Sequence, residues 1–145
     1  MARGPVRLAL YAAALVSGGS FGLLFEGAAA SLWMFGAAAV GLASGSAGRY
    51  RFVLLPPLAV VYGVVAAYGP ASLLPFGGWS EALAAQSDIP VALGTMYLQP
   101  VPYEPSAGLL LLLSPLVTLL AGLAVSATLY EESPVLSLAM LGAAL

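Results

Sequence analysis

Long apolar stretches separated by short polar breaks dominate the hydrophobic pattern of this chain. Four of them are long enough for a transmembrane helix, which needs roughly 20 apolar residues. We predict these spans at about residues 8–25, 28–47, 52–68 and 107–128. A further apolar stretch, 134–145, is too short to cross, and the sequence stops inside it, so we expect the chain to be part of a longer protein. The predicted fold is an all-α, polytopic membrane bundle with four full spans plus a truncated fifth, forming a single membrane domain over 1–145.

Composition agrees with this fold and excludes several functions. Only 7% of residues are charged and 61% are hydrophobic, whereas about a quarter of a soluble domain is charged. The chain has no Cys, no His and no Lys, so it lacks thiolate, imidazole and amine chemistry. A net charge of −2 gives no basic surface for nucleic acid. We predict a non-enzymatic chain with no catalytic, cofactor-binding or metal-binding residues, and membrane lipid as its surroundings.

The basic residues set the expected orientation. Arg3 and Arg7 precede the first span, and Arg49 and Arg51 follow the second. Short loops rich in Arg or Lys stay in the cytoplasm. We therefore expect a multi-pass cell-membrane protein with a cytoplasmic N-terminus and an extracytoplasmic loop at 69–105.

The turn after the fourth span contains Glu131 and Glu132. Counting crossings makes this turn cytoplasmic, but acidic residues contribute little to orientation. A second alternative concerns the first span, which could be a cleaved signal peptide with a small-residue site at 28–30. The tight connection to the second span favours a helical hairpin instead.

Two pairs of glycines have the spacing that lets membrane helices approach closely. They are Gly18 with Gly22 in the first span and Gly41 with Gly45 in the second. Small residues at this spacing permit backbone contact, since lipid gives no hydrophobic drive to association. Packing of the first span on the second is favoured, and association between copies of the chain stays open.

Prolines and tyrosines modify the third and fourth spans. Pro56-Pro57 predicts a kink or a late helix start, and Pro115 predicts a bend compensated by the hydroxyl of Ser114 or Thr118. Tyr62 and Tyr68 are candidate interfacial anchors, with ordinary packing equally open for Tyr62.

The loop at 69–105 is predicted to be mostly non-helical. Its segment 79–86 could form a short interfacial helix with Trp79 as anchor and Ser80 as N-cap. The prolines that follow favour extended or turned backbone: Pro90, Pro100, Pro102 and Pro105.

Three acids in this loop, Glu81, Asp88 and Glu104, are the candidate polar chemistry. An acid/base pair needs two carboxyl groups a few ångströms apart, and a calcium loop needs a defined ligand spacing. Neither is fixed by this pattern, so solvated loop charges are the favoured interpretation.

The stretch 97–113, YLQPVPYEPSAGLLLLL, resembles the segment before the fourth span of actinobacterial-type TgpA proteins, in which a Pro-Val-Pro element precedes a Gly-Leu-rich helix. The following LAGLAVSATLYEESPVLSLAMLGAAL is similar to that family's next turn and helix, although the family usually has a basic turn where this chain has Glu131-Glu132.

The resemblance implies a membrane bundle followed by an extracytoplasmic transglutaminase-like domain with a Cys-His-Asp triad. No residue of this chain can supply that Cys or His, so the expected function is non-catalytic membrane anchoring. The alternative is an independent small integral membrane protein that acts as a complex subunit or solute carrier.

Overall fold

A computed structural model describes residues 4–73, 87–98 and 100–130, and it is helical as the sequence predicts. Within these residues, four helices are long and apolar enough to cross a membrane, which confirms the predicted class of an all-α membrane bundle. The helices are α1 (Gly4–Ser20), α2 (Ala28–Gly45), α3 (Arg51–Tyr68), α4 (Asp88–Leu98) and α5 (Ala107–Tyr130). Short 3-10 turns extend α1 (Phe21–Leu24), precede α3 (Gly48–Tyr50) and follow it (Pro70–Leu73).

Helix α5 is the centre of the bundle. About 61% of it is buried, against 22% of the α3 span. Helices α1, α2, α3 and α4 all contact it. Its contact face carries Leu109, Val117 and Val125, which are completely or almost completely buried. The outer helices therefore expose apolar side chains such as Leu8, Leu32 and Val53, as expected where lipid is the solvent.

The described charged residues separate to opposite ends of the bundle. One end, which we call the arginine end, comprises the turn 46–51, Tyr130 and the start of α1. These parts are joined because the Tyr130 hydroxyl donates to the Ser46 carbonyl at 3.0 Å and the Tyr11 hydroxyl lies 3.3 Å from Ser46 Oγ. Arg7 lies one helical turn before Tyr11, on the same face of α1.

The other end, which we call the acidic end, comprises the turn 25–27, helix α4 and the segment 100–106. It contains the described carboxylates, Glu26, Asp88 and Glu104. The two ends are about 35 Å apart along α5, because a 24-residue helix rises 1.5 Å per residue.

The prolines of the spans behave differently from the prediction. Helix α3 begins at Arg51 and contains Pro56 and Pro57, so of the two predicted alternatives the late start is wrong and the kink stays a prediction. These prolines are exposed near the arginine end, where water can reach carbonyls that lack a helical donor.

Pro115 lies inside α5, and the freed carbonyl is that of Leu111. The predicted hydroxyl compensation is wrong in detail. The Thr118 hydroxyl donates to the Ser114 carbonyl at 2.9 Å, and Ser114 Oγ has no partner among the described residues.

The expectation of non-helical backbone after the third span is wrong for 88–98, which forms α4. Pro90 is the third residue of this helix, where no backbone N–H is required. Asp88 in the first turn is favourable next to the helix dipole. The prediction is correct for Pro100, Pro102 and Pro105, which lie outside any helix.

Several predicted features fall outside the described residues. These are Arg3, the interfacial segment 79–86 with Glu81, the turn with Glu131 and Glu132, and the partial fifth span 134–145.

Candidate functional site: the acidic end of the bundle

Tyr103 joins three parts of the chain at the acidic end. Its backbone N–H donates to the Leu24 carbonyl at 2.6 Å, and its carbonyl accepts from the Glu26 N–H at 2.9 Å. Its hydroxyl donates to the carbonyl of Met96 in α4 at 3.2 Å. Tyr103 thus connects the α1–α2 turn, the segment 100–106 and α4.

The contact around Tyr103 is also apolar. Phe25 forms a parallel bridge with Tyr103, and both side chains are buried. They belong to the same core cluster as Met34, Leu109 and Val117. The acidic end is therefore continuous with the core of the bundle, and it is more than a surface loop.

Helix α4 is seated on the first turn of α5. A methyl group added at Gly108 would lie 2.7 Å from the carbonyl oxygen of Asp88 and 3.0 Å from Ala92 Cβ, so only glycine allows this approach. Ser106 caps α5 from its own loop, accepting from the Leu109 N–H at 3.3 Å. Ser is a favoured residue at this helix position.

A groove of about 360 Å³ lies between α4 and the start of α5. The structure brings two of the three predicted acids, Asp88 and Glu104, to its walls, and both are exposed to solvent. The other lining residues are Val91, Ala92, Ser106, Ala107 and Gly108.

The chemistry available in this groove is limited. Two hydrated carboxylates can accept hydrogen bonds or attract a cation at long range. Within 4–73, 87–98 and 100–130, three or more metal-ligating side chains do not come together. Among the described residues that line the groove, Ser106 is the one with a hydroxyl, and this hydroxyl caps α5.

The glycines that the sequence analysis singled out all lie in contacts within the chain. Gly18 lies against Ala38 of α2 and Val117 of α5, and Gly22 lies against Ser31 of α2. The first span therefore packs on the second at Gly18 and Gly22, as expected, but Gly41 and Gly45 do not take part in that contact. Both meet α5, Gly41 at Thr118 and Ala121 and Gly45 at the backbone of Gly122.

Sequence reasoning missed the partner surface on α5. Its signal is a run of small residues at four-residue spacing, which places them on one helix face. The run comprises Ser114, Thr118, Gly122 and Ser126, all buried. This pattern is hard to recognise in the sequence because leucine and valine occupy most of the positions between these residues.

Comparison of the chain with family models, with curated proteins and with solved structures gave no match.

Proposed function

We propose that this chain is the non-catalytic membrane-anchoring region of a cell-envelope protein, and that it holds a transglutaminase-like domain outside the membrane. The observation that carries the proposal is the organised acidic end. Tyr103, Phe25 and α4 tie this end to the bundle core, which gives a neighbouring domain a fixed base. A flexible tether would require none of these contacts.

The proposal includes an orientation. Arg7, Arg49 and Arg51 share one end of the bundle, as the hydrogen bonds of Tyr11 and Tyr130 to Ser46 support. The positive-inside rule makes that end cytoplasmic. The acidic end with its groove then faces outward, on the side where the envelope domain is expected.

The internal packing supports anchoring over solute transport. Transport sites usually contain ionisable groups or broken helices near the middle of the membrane. In the described spans, Arg7 and Arg51 lie near helix ends. The central parts of these spans contain no Asp, Glu, Lys or Arg. A methyl group at Gly63 would lie 2.9 Å from Pro115 Cδ, so this proline fills the α3–α5 contact and does not line a path.

The nature of the anchored domain rests on the TgpA resemblance of residues 97–113. In the structure this stretch contains the end of α4, the Tyr103 connection and the start of α5. The stretch that carries the resemblance therefore overlaps the acidic end at Tyr103 and at the start of α5.

The reading frame after Leu145 tests the proposal directly. We expect it to complete the fifth span and then encode a domain with Cys, His and Asp in transglutaminase-like order. Five crossings from a cytoplasmic N-terminus place that domain outside. A stop codon after Leu145, without such a domain in a neighbouring gene, would contradict the proposal.

Reconstitution separates anchoring from transport. The purified 145-residue chain in liposomes should show no uptake of solutes or protons above that of protein-free vesicles. Saturable uptake that Gly63→Leu abolishes would instead establish a carrier, because that substitution disturbs the α3–α5 contact around Pro115.

A further inference from the structure

Arg51, the first residue of α3, is held between two aromatic rings at the arginine end. Its guanidinium carbon lies 4.6 Å from the ring centre of Phe52 and 4.2 Å from that of Tyr130. Tyr130 is fixed in turn by its hydrogen bond to the Ser46 carbonyl. Stacking of this kind orients the planar guanidinium and does not occupy its terminal Nη donors.

The guanidinium of Arg51 lacks an acidic partner within the described chain. Its Nε is buried and makes no hydrogen bond among the described residues, as is also true of Arg7 Nε. The described carboxylates lie at the opposite end of the bundle. Burial keeps Nε out of reach of an external ligand, so an outside acceptor would bind the terminal Nη groups, which make no hydrogen bond among the described residues.

The surroundings of Arg51 match a lipid headgroup with its acyl chain. The arginine end is where the spans reach the membrane surface, at the depth of phospholipid phosphates. Next to Arg51 along α3, Phe52, Val53 and Leu54 are exposed and apolar. A phosphate at Arg51 would thus have a hydrophobic surface beside it for the attached chain.

Arg49 provides a contrast within the same turn. It is exposed, and its Nη2 donates to the Tyr50 hydroxyl at 2.6 Å while its guanidinium stacks on the Tyr50 ring. Arg49 therefore has one donor engaged locally, and its charge is screened by water and salt.

We propose that Arg51, clamped by Phe52 and Tyr130, forms a binding site for the phosphate of an anionic phospholipid at the arginine end. The planar fork of an arginine matches two phosphate oxygens. The site selects anionic over zwitterionic lipid because the choline group of phosphatidylcholine brings a compensating positive charge.

Native mass spectrometry of the purified 145-residue protein tests the site. The protein is mixed with equal amounts of phosphatidylglycerol and phosphatidylcholine carrying identical acyl chains. R51Q should lower the bound ratio of phosphatidylglycerol to phosphatidylcholine about fivefold, the effect expected of one basic residue at an anionic surface. R49Q, which removes the same charge from an exposed position, should lower it by less than about twofold.

Comparison of R51Q with R49Q also tests whether Arg51 forms an ion pair within the chain. Glu131 and Glu132 follow Tyr130 in the sequence and lie outside the described residues. If either carboxylate already neutralised Arg51, R51Q and R49Q would change the lipid ratio equally. That result would overturn the proposal.

Two further arms complete the experiment. R51K keeps the charge but loses the planar fork, and it should lower the ratio more than R49Q does. A wild-type ratio in R51K would refute the role of the stacked guanidinium.

Millimolar glycerol 1-phosphate should not displace bound phosphatidylglycerol. Full displacement would mean that the site binds a soluble phosphate, and the lipid assignment would fall. Thermal unfolding of each variant in detergent checks folding, and R51K decides the matter if R51Q does not fold.

Discussion

Glycines make the closest helix contacts of this bundle, and each is specific to its neighbour. Gly41 and Gly45 let α2 reach the backbone of α5, while Gly63 accommodates Pro115. Lipid supplies no hydrophobic force between helices, so this close van der Waals contact is a main source of stability. A single added methyl group at such a position is therefore expected to lower the stability of the bundle.

Gly45→Ala should destabilise the bundle, because the new methyl group would meet the backbone of Gly122, which cannot rotate away. Overpacking of this kind costs roughly 1–3 kcal/mol. The expected result is a lower midpoint of thermal unfolding in detergent, followed by circular dichroism.

Gly94→Ala is the matched control for that measurement. Nothing lies within 4 Å of a methyl group at Gly94, and Ala is the better helix former. Its unfolding midpoint should stay equal or rise. An unchanged midpoint in Gly45→Ala with loss of a crosslinked dimer would instead place Gly45 between copies of the chain.

Tyr62 gives a second test at this scale. Its hydroxyl donates to the Trp33 carbonyl at 2.8 Å, and the two rings meet edge to face at 6.0 Å. Tyr62→Phe should cost about 0.6 kcal/mol, the average for a hydrogen bond between membrane helices. Chemical unfolding in mixed micelles measures this, with Tyr97→Phe as control because Tyr97 is 90% exposed. Equal effects of the two substitutions on the free energy of unfolding would contradict a stabilising hydrogen bond from the Tyr62 hydroxyl.

The sequence could predict these glycines but not what they touch. Spacing of four residues shows that Gly41 and Gly45 share a helix face. Which helix covers that face depends on tertiary arrangement, and the pattern of one helix does not contain that information. The partner Gly122 has no second glycine four residues away, since Thr118 and Ser126 occupy those positions.

At the scale of elements, the four long helices were predictable within a few residues. Arg51 and Gly69-Pro70 mark both ends of α3, and a uniform apolar run marks α5. Helix α4 departs from the prediction, because a proline such as Pro90 usually interrupts a helix. A proline in the first turn is compatible with a helix. Asp88 followed two residues later by Pro90 can therefore mark the start of a helix as well as its interruption.

Tyr103 is expected to control the order of the acidic end without controlling the spans. Tyr103→Ala removes a buried ring and the hydrogen bond to Met96. Amide hydrogen exchange should quicken in α4, because the hydrogen bond to Met96 is lost. It should also quicken at Glu26, because the Tyr103 backbone carbonyl that accepts from the Glu26 N–H is no longer held by a buried ring. Exchange in the middle of α5 should be unchanged.

Tyr97→Ala serves as the control for this element, since Tyr97 is an exposed tyrosine six residues earlier on the same side. Its exchange profile should match that of the unmodified chain. Uniformly faster exchange across α5 in Tyr103→Ala would contradict a local role and make Tyr103 part of the global fold.

At the scale of the whole molecule, charge and packing agree on one arrangement. The described arginines gather at one end and the described carboxylates at the other, with apolar helices between them. The few charges were enough to predict this polarity from sequence, because orientation depends on where Arg and Lys lie and little on side-chain detail. The shape of the groove at the acidic end was not predictable, because Asp88 and Glu104 approach it only through the fold of α4 on Gly108.

Cysteine accessibility in intact cells tests the central claim most directly, since the chain has no cysteine of its own. Tyr97→Cys at the acidic end and Tyr50→Cys at the arginine end are both exposed positions. A membrane-impermeant maleimide should label Tyr97→Cys in intact cells and label Tyr50→Cys only after the membrane is opened. Labelling of Tyr50→Cys from outside, or equal labelling of both before lysis, would contradict a bundle that crosses the membrane with its arginine end in the cytoplasm.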